Sequence, residues 1–231
     1  IDEATVAFRA LDRAPGWRAQ ALSTFCFGLS SASVAGLLRS SWVDVVTAGI
    51  IGWIIGILYT MGAKRPRLAE SLDAIAALIA TLLAAAVATF FAPLSLNTVI
   101  VASVIVLMPG LMLTNAVQEL TSQHLVSGAA RFAGAFAVLL KLTFGSVAGS
   151  QIAALLGWVP QEHGPAAVPS AYVEWFALVL ASYAFAVLFK ADRRDYPLVM
   201  LAVATGYVIT RLGGHYFGSG AGVFLASMAI T

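Results

Sequence analysis

Apolar residues run along this chain in blocks of about 20, the length of helix that crosses a ~30 Å hydrocarbon layer. The blocks fall near residues 19–38, 43–61, 70–92, 97–118, 127–158, 170–189 and 195–217, with a partial one from 219. Turn signals stand between them: Arg39-Ser-Ser-Trp42, Lys64-Arg-Pro-Arg67, Pro93-Leu-Ser-Leu-Asn97 and a longer stretch from Pro160 to Pro169. The pattern predicts an all-α, polytopic membrane protein with about eight transmembrane helices.

Composition excludes the main alternatives. Only 10% of residues are charged and 60% are hydrophobic, whereas a soluble domain carries about 25% charged residues and could not hide so much apolar surface. A net charge of +2, with its basic residues in loop clusters, argues against a nucleic-acid partner. Cys26 is the single cysteine, so no internal disulfide forms. No Ser/His/Asp set, zinc-ligand spacing or phosphate-binding glycine loop stands out, so the chain reads as no enzyme, with no cofactor and no metal.

Charge also orients the chain, because cytoplasmic loops retain Lys and Arg. Counting alternate sides groups Arg9, Arg13, Arg18, Lys64, Arg65, Arg67, Arg131, Lys190, Arg193 and Arg194 against Arg39 and Arg211 alone. The N-terminus is therefore expected in the cytoplasm. Residues 1–18 read as an amphipathic cytoplasmic lead-in that continues an upstream segment. Residues 19–159 read as a first five-helix membrane half, 160–169 as an external loop, and 170–231 as the truncated start of a second half.

The first two blocks resemble the sixth and seventh: a small-residue helix, a charged turn, then a helix carrying Gly52-Trp53 or Gly206-Tyr207. Five intervening spans would invert the second copy, which is the arrangement of a 5+5 inverted-repeat transporter with its site near the midplane. Two further helices are then expected beyond Thr231. Small residues at four-residue spacing, Gly28/Ala32/Gly36, Gly52/Gly56 and Gly145/Gly149, predict close helix packing.

Chemistry concentrates in the fourth block, Leu107-Met-Pro-Gly-Leu-Met-Leu-Thr-Asn-Ala-Val-Gln-Glu119. Proline lacks an N–H and clashes with the preceding turn, so Pro109-Gly110 should break the helix and free carbonyls around Ile105 and Val106. Beyond the break, Thr114 and Gln118 share one face, as do Asn115 and Glu119. Polar side chains within a span are costly unless used or paired. Glu119 is either a proton-handling group or a solvated interfacial residue beside His124. Arg131 either clamps a carboxylate or anchors the next helix. Lys141, ten residues on, either meets the solute or snorkels to the inner interface. Asp73 reads as an interfacial ion-pair partner of Lys64, Arg65 and Arg67, and Asp44, Glu174 and His215 as boundary residues.

The run Val104-Ile-Val-Leu-Met-Pro-Gly-Leu-Met-Leu-Thr-Asn-Ala-Val-Gln-Glu-Leu120, followed by Val126-Ser-Gly-Ala-Ala-Arg131, resembles the pattern of the threonine/serine exporter family. Ala184 to Gly213 resembles the start of that family's second membrane half. The resemblance implies a multi-pass transporter of the bacterial inner membrane, exporting threonine, serine or a similar small carboxylate-bearing metabolite by proton-coupled antiport. The matching positions are Pro109, Gly110, Thr114, Asn115, Glu119, Ser127, Gly128 and Arg131. The expected substrate site is Pro109, Gly110, Thr114, Asn115, Gln118, Arg131 and Lys141, with Glu119 the proton-coupling group. Two rival readings remain: a dicarboxylate exporter using both Arg131 and Lys141, and a non-transporting scaffold or assembly subunit. A homo-oligomer is compatible with any of these.

Overall fold

The computed structural model describes residues 16–62, 70–161 and 171–218, all of them helix or connecting turn. Most of the expected lead-in, the Lys64/Arg65/Arg67 turn, nearly all of the external loop and the block from 219 lie outside the described residues. Eight α-helices are described: α1 Trp17–Leu37, α2 Trp42–Gly62, α3 Leu72–Phe90, α4 Leu96–Val104, α5 Gly110–Thr121, α6 Leu125–Leu155, α7 Ala171–Leu188 and α8 Tyr196–Phe217. A 3₁₀ turn, Ile105–Leu107, prolongs α4.

The apolar blocks locate the helices, and among the described residues four or five spans meet the length and hydropathy of a membrane crossing. Among the described residues α2, α3, α6 and α8 are long and apolar enough to cross a membrane, and α4 with α5 adds a fifth if the bent pair is one span. Ser23, Thr24, Ser30, Ser31 and Ser33 dilute α1, and the apolar run Tyr172–Leu188 of α7 is short.

Small residues hold the bundle together. The α1 serines are buried because their hydroxyls return to backbone: Ser30 to Phe27 O at 2.9 Å and Ser33 to Leu29 O at 2.7 Å. Ser31 instead donates across to Ser103 O of α4 at 3.3 Å. A Cβ on Gly52 would stand 2.2 Å from Ser31 Oγ, and one on Gly36 would stand 3.1 Å from Ala177 Cβ of α7. The glycine spacings thus serve packing, as expected. On α3, Ala76, Ala77, Ala80, Ala84 and Ala88 are buried, a smooth face that backbones can approach closely.

One end of the bundle is laced by polar contacts. Ser41 and Asp44 form a capping box at the start of α2: Ser41 N donates to Asp44 Oδ2 at 3.1 Å and Asp44 N to Ser41 Oγ at 3.2 Å. Asp44 Oδ1 also accepts Ser95 N, the cap of α4, at 3.0 Å. Asp44, in the first turn of α2, is therefore a boundary residue that is also a fully buried double cap. Asp44→Ala should orphan both donors and cost about 2 kcal/mol, read as a lowered midpoint of thermal unfolding in detergent.

The α3–α6 register fixes where the long helix goes. Lys141 lies level with Glu70, Gly145 with Ala74 and Gly149 with Leu78, so the two helices run parallel. The first 16 residues of α6 (125–140) consequently continue about 24 Å past the described start of α3, at 1.5 Å per residue. α5 folds back against this extension.

Candidate functional site

Pro109 breaks the fourth block as expected. Met108, before it, is extended at φ −64° and ψ 128°, as a residue preceding proline must be. The chain resumes as α5 at 60° to α4. Ile105 O, one of the carbonyls expected to be freed, accepts Met108 N at 3.2 Å in the 3₁₀ turn.

The break opens a cleft of about 320 Å³ whose wall includes Phe27, Tyr59, Asp73, Pro109, Gly110 and Phe189. It is largely apolar, with one polar feature: the Tyr59 hydroxyl donates to Asp73 Oδ1. Tyr59 is thus the described partner of Asp73; the lysine and arginines expected there lie outside the described residues.

A second cleft, also about 320 Å³, lies between α5 and the extended part of α6, lined by Asn115, Gln118, Glu119, Ser122, His124 and Arg131. Gly128 allows the two helices to meet, since a Cβ there would stand 2.8 Å from Leu120 Cγ and 3.1 Å from Ala116 O. Across this contact Arg131 Nε pairs with Glu119 Oε1 at 2.7 Å. Glu119 Oε2 is buried and has no hydrogen-bond partner among the described residues. Ser127 Oγ donates to His124 O at 3.3 Å, within the first turn of its own helix.

The single site expected from sequence therefore divides. Asn115, Gln118, Glu119 and Arg131 converge, while Pro109 and Gly110 line the neighbouring cleft. The Thr114 hydroxyl turns back to Gly110 O at 3.0 Å. Lys141 Nζ donates to Glu70 O at 2.8 Å, and it sits about 15 Å along α6 from Arg131. Nor does the convergent group lie amid the bundle. The bend sends α5 past the Gly62 end of α2 and the Leu72 end of α3, so the polar cleft occupies the hairpin of α5 and α6.

A charged cluster at the opposite end escaped the sequence reading. Glu174, in the first turn of α7, is only 5% exposed. Arg211 Nη1 pairs with its Oε1 at 2.7 Å, Arg39 Nε lies 3.7 Å from its Oε2, and the Tyr207 hydroxyl donates to Oε1. The signal was present in the orientation count, which had already put Arg39 and Arg211 together on the cation-poor side. His215 is exposed beside Tyr216, as a boundary residue should be.

A family model described as "Putative threonine/serine exporter" matches residues 1–153, which include every named residue of the two clefts except Phe189. Among curated proteins, an uncharacterised protein of Schizosaccharomyces pombe is 26% identical over 86% of this chain and 25% of its own length. Pheromone-regulated membrane protein 10 of Eremothecium gossypii is 24% identical over 88% of the chain and 27% of its own length. Its Saccharomyces cerevisiae namesake is 24% identical over 88% of the chain and 53% of its own length. The chain thus spans from about a quarter to about half of these relatives. No solved structure matches it.

Proposed function

Because the chain belongs to the threonine/serine exporter family, we propose that it carries a small zwitterionic solute, threonine or serine, out of the cell in exchange for protons. The observation that carries this reading is the Glu119–Arg131 pair, 2.7 Å apart on the wall of a polar cleft, with the second Glu119 oxygen unpartnered among the described residues. Arg131 can take a carboxylate bidentately. Glu119 can take the ammonium, and Asn115 and Gln118 supply neutral hydrogen bonds. The solute thereby splits the ion pair. A proton arriving on Glu119 cancels the charge that holds the ammonium, so proton and solute exclude one another, as antiport requires.

The remaining features fit around this centre. The apolar cleft at Pro109 adjoins the bundle and gives the solute's path a kinked, adjustable wall. A cytoplasmic N-terminus would put the hairpin on the cytoplasmic side, where an exporter loads. Contact between α1 and α7 at Gly36 and Ala177 supports the 5+5 inverted-repeat design, since these would be the first helices of the two halves. The bacterial inner membrane is the compartment that goes with this reading. A dicarboxylate fits less well, because Lys141 is about 15 Å from Arg131 along the helix and the two cannot hold one small molecule.

Threonine counterflow into proteoliposomes containing the full-length protein tests the proposal, with serine and succinate as competitors. Arg131→Gln should lower kcat/KM about 100-fold, the loss of a charge-assisted contact to the solute, while its thermal midpoint stays near wild type. Undiminished flux in that variant would refute the site, and flux of succinate alone would favour the dicarboxylate reading.

A further inference from the structure

We infer that Glu174 and Arg39, supported by Arg211, form a second binding site for the zwitterionic head of an α-amino acid, at the end of the bundle opposite Arg131. The inference rests on the transport reading and supplies its exit side.

The argument starts from what each atom of the cluster lacks. Glu174 Oε1 is engaged by Arg211 Nη1 at 2.7 Å and by the Tyr207 hydroxyl. Glu174 Oε2 is buried and receives no hydrogen bond among the described residues. Its nearest cationic atom, Arg39 Nε, stands at 3.7 Å, too far for one. The Arg39 side chain is 50% exposed, and its guanidinium likewise makes no hydrogen bond among the described residues. Two guanidiniums against one carboxylate leave one positive charge uncompensated. A cation short of acceptors therefore stands beside a buried anion short of a donor.

A purely structural ion pair would close this gap and satisfy both partners, because an orphaned buried oxygen is costly. An ammonium on Glu174 Oε2 and a carboxylate on Arg39 satisfy them together, and an α-amino acid carries both groups on one carbon. A dicarboxylate would satisfy Arg39 but bring nothing to Oε2. The inner cleft repeats the design: Glu119 Oε1 is paired with Arg131 at 2.7 Å, while its Oε2 is buried and unpartnered among the described residues. Each end thus has a glutamate with one engaged and one buried, unpartnered oxygen beside a half-exposed arginine.

Equilibrium binding of tritiated threonine to the full-length protein in lipid nanodiscs tests the site. Wild type should show two classes of site; Arg39→Gln should weaken one at least about tenfold, and Arg131→Gln the other. Because Arg39 is half exposed and Glu174 keeps Arg211 and Tyr207, Arg39→Gln should unfold at nearly the wild-type temperature. Should it nevertheless misfold, protection of wild-type Arg39 from phenylglyoxal by threonine, read by peptide mass, decides the matter. Unchanged binding in Arg39→Gln, absent protection, or competition by succinate equal to that by threonine would overturn the inference. If Arg131→Gln leaves flux intact while Arg39→Gln still loses its class of site, the inner mechanism fails and the outer site stands.

Discussion

Valine at position 145 is expected to leave almost no folded protein in the membrane. Gly145 faces α3 so closely that a Cβ would stand 2.2 Å from the Ala74 carbonyl oxygen and 3.0 Å from Ala77 Cβ. Neither neighbour can rotate aside, because one is backbone and the other a methyl group on a buried alanine. Restoring ordinary contact requires α3 and α6 to part by about 1 Å or more, given carbon contacts of about 3.5–4.0 Å. The separation would propagate a turn along to Gly149, whose own Cβ position lies 2.8 Å from Leu78 O. Helices in lipid associate largely through such close packing, with no hydrophobic drive between them to make up the loss. Overpacking by one or two methyl groups costs about 1–3 kcal/mol and sometimes more, so Gly145→Ala should lose about 3 kcal/mol and Gly145→Val should exceed what the fold can bear. Gly134→Ala is the control, since its Cβ would meet only Met112 Cε at 3.7 Å and the alanine gains helix propensity. Fluorescence size-exclusion profiles and unfolding in sodium dodecyl sulfate read both. Equal folded yield from Gly145→Val and Gly134→Ala would show that α3 and α6 do not depend on this contact.

Such contacts explain which parts of the molecule could be read from the chain. Helix positions were legible because an apolar block of about 20 residues is a local quantity. The break at Pro109 was legible because proline's missing N–H acts on its own turn. The direction in which α5 departs was not. A face shared by Thr114 and Gln118 follows from helical spacing, but only the packing of α5 against α6 decides that Gln118 lines the cleft and Thr114 does not. Lys141 was equally ambiguous, because its partner, the Glu70 carbonyl, comes from the turn before α3, 71 residues away in sequence. Ser41-x-x-Asp44 was readable as a capping box, whereas the bond from Ser95 N to Asp44 joins two helices distant in sequence. The Arg39, Glu174 and Arg211 cluster is further still from any local pattern, since its members are brought together only by the packing of α1, α7 and α8.

Glu119→Gln should separate solute exchange from proton coupling. The amide keeps the size of the side chain and can still meet Arg131, so folding should hardly change. The pair is partly exposed, at 54% for Arg131 and 26% for Glu119, and such pairs contribute about 1 kcal/mol or less. An amide carries no proton near neutral pH, however, and offers an ammonium no charge. Half-saturation for threonine should therefore rise about tenfold or more, the loss of one charge-assisted contact, while exchange at saturating threonine persists. Flux driven by an imposed pH gradient should disappear, because nothing at this position can take up a proton in place of the solute. Proteoliposomes loaded with a pH-sensitive dye measure both quantities at once. Gradient-driven flux at the wild-type rate would move coupling to another carboxylate, and Asp73, on the wall of the adjoining cleft, is then the group to replace. Glu119→Asp sharpens the distinction. It keeps an ionisable group one methylene further from Arg131, so it should retain gradient-driven flux at a reduced rate where glutamine retains none, and coupling would then follow the proton-carrying group and not the shape of the side chain.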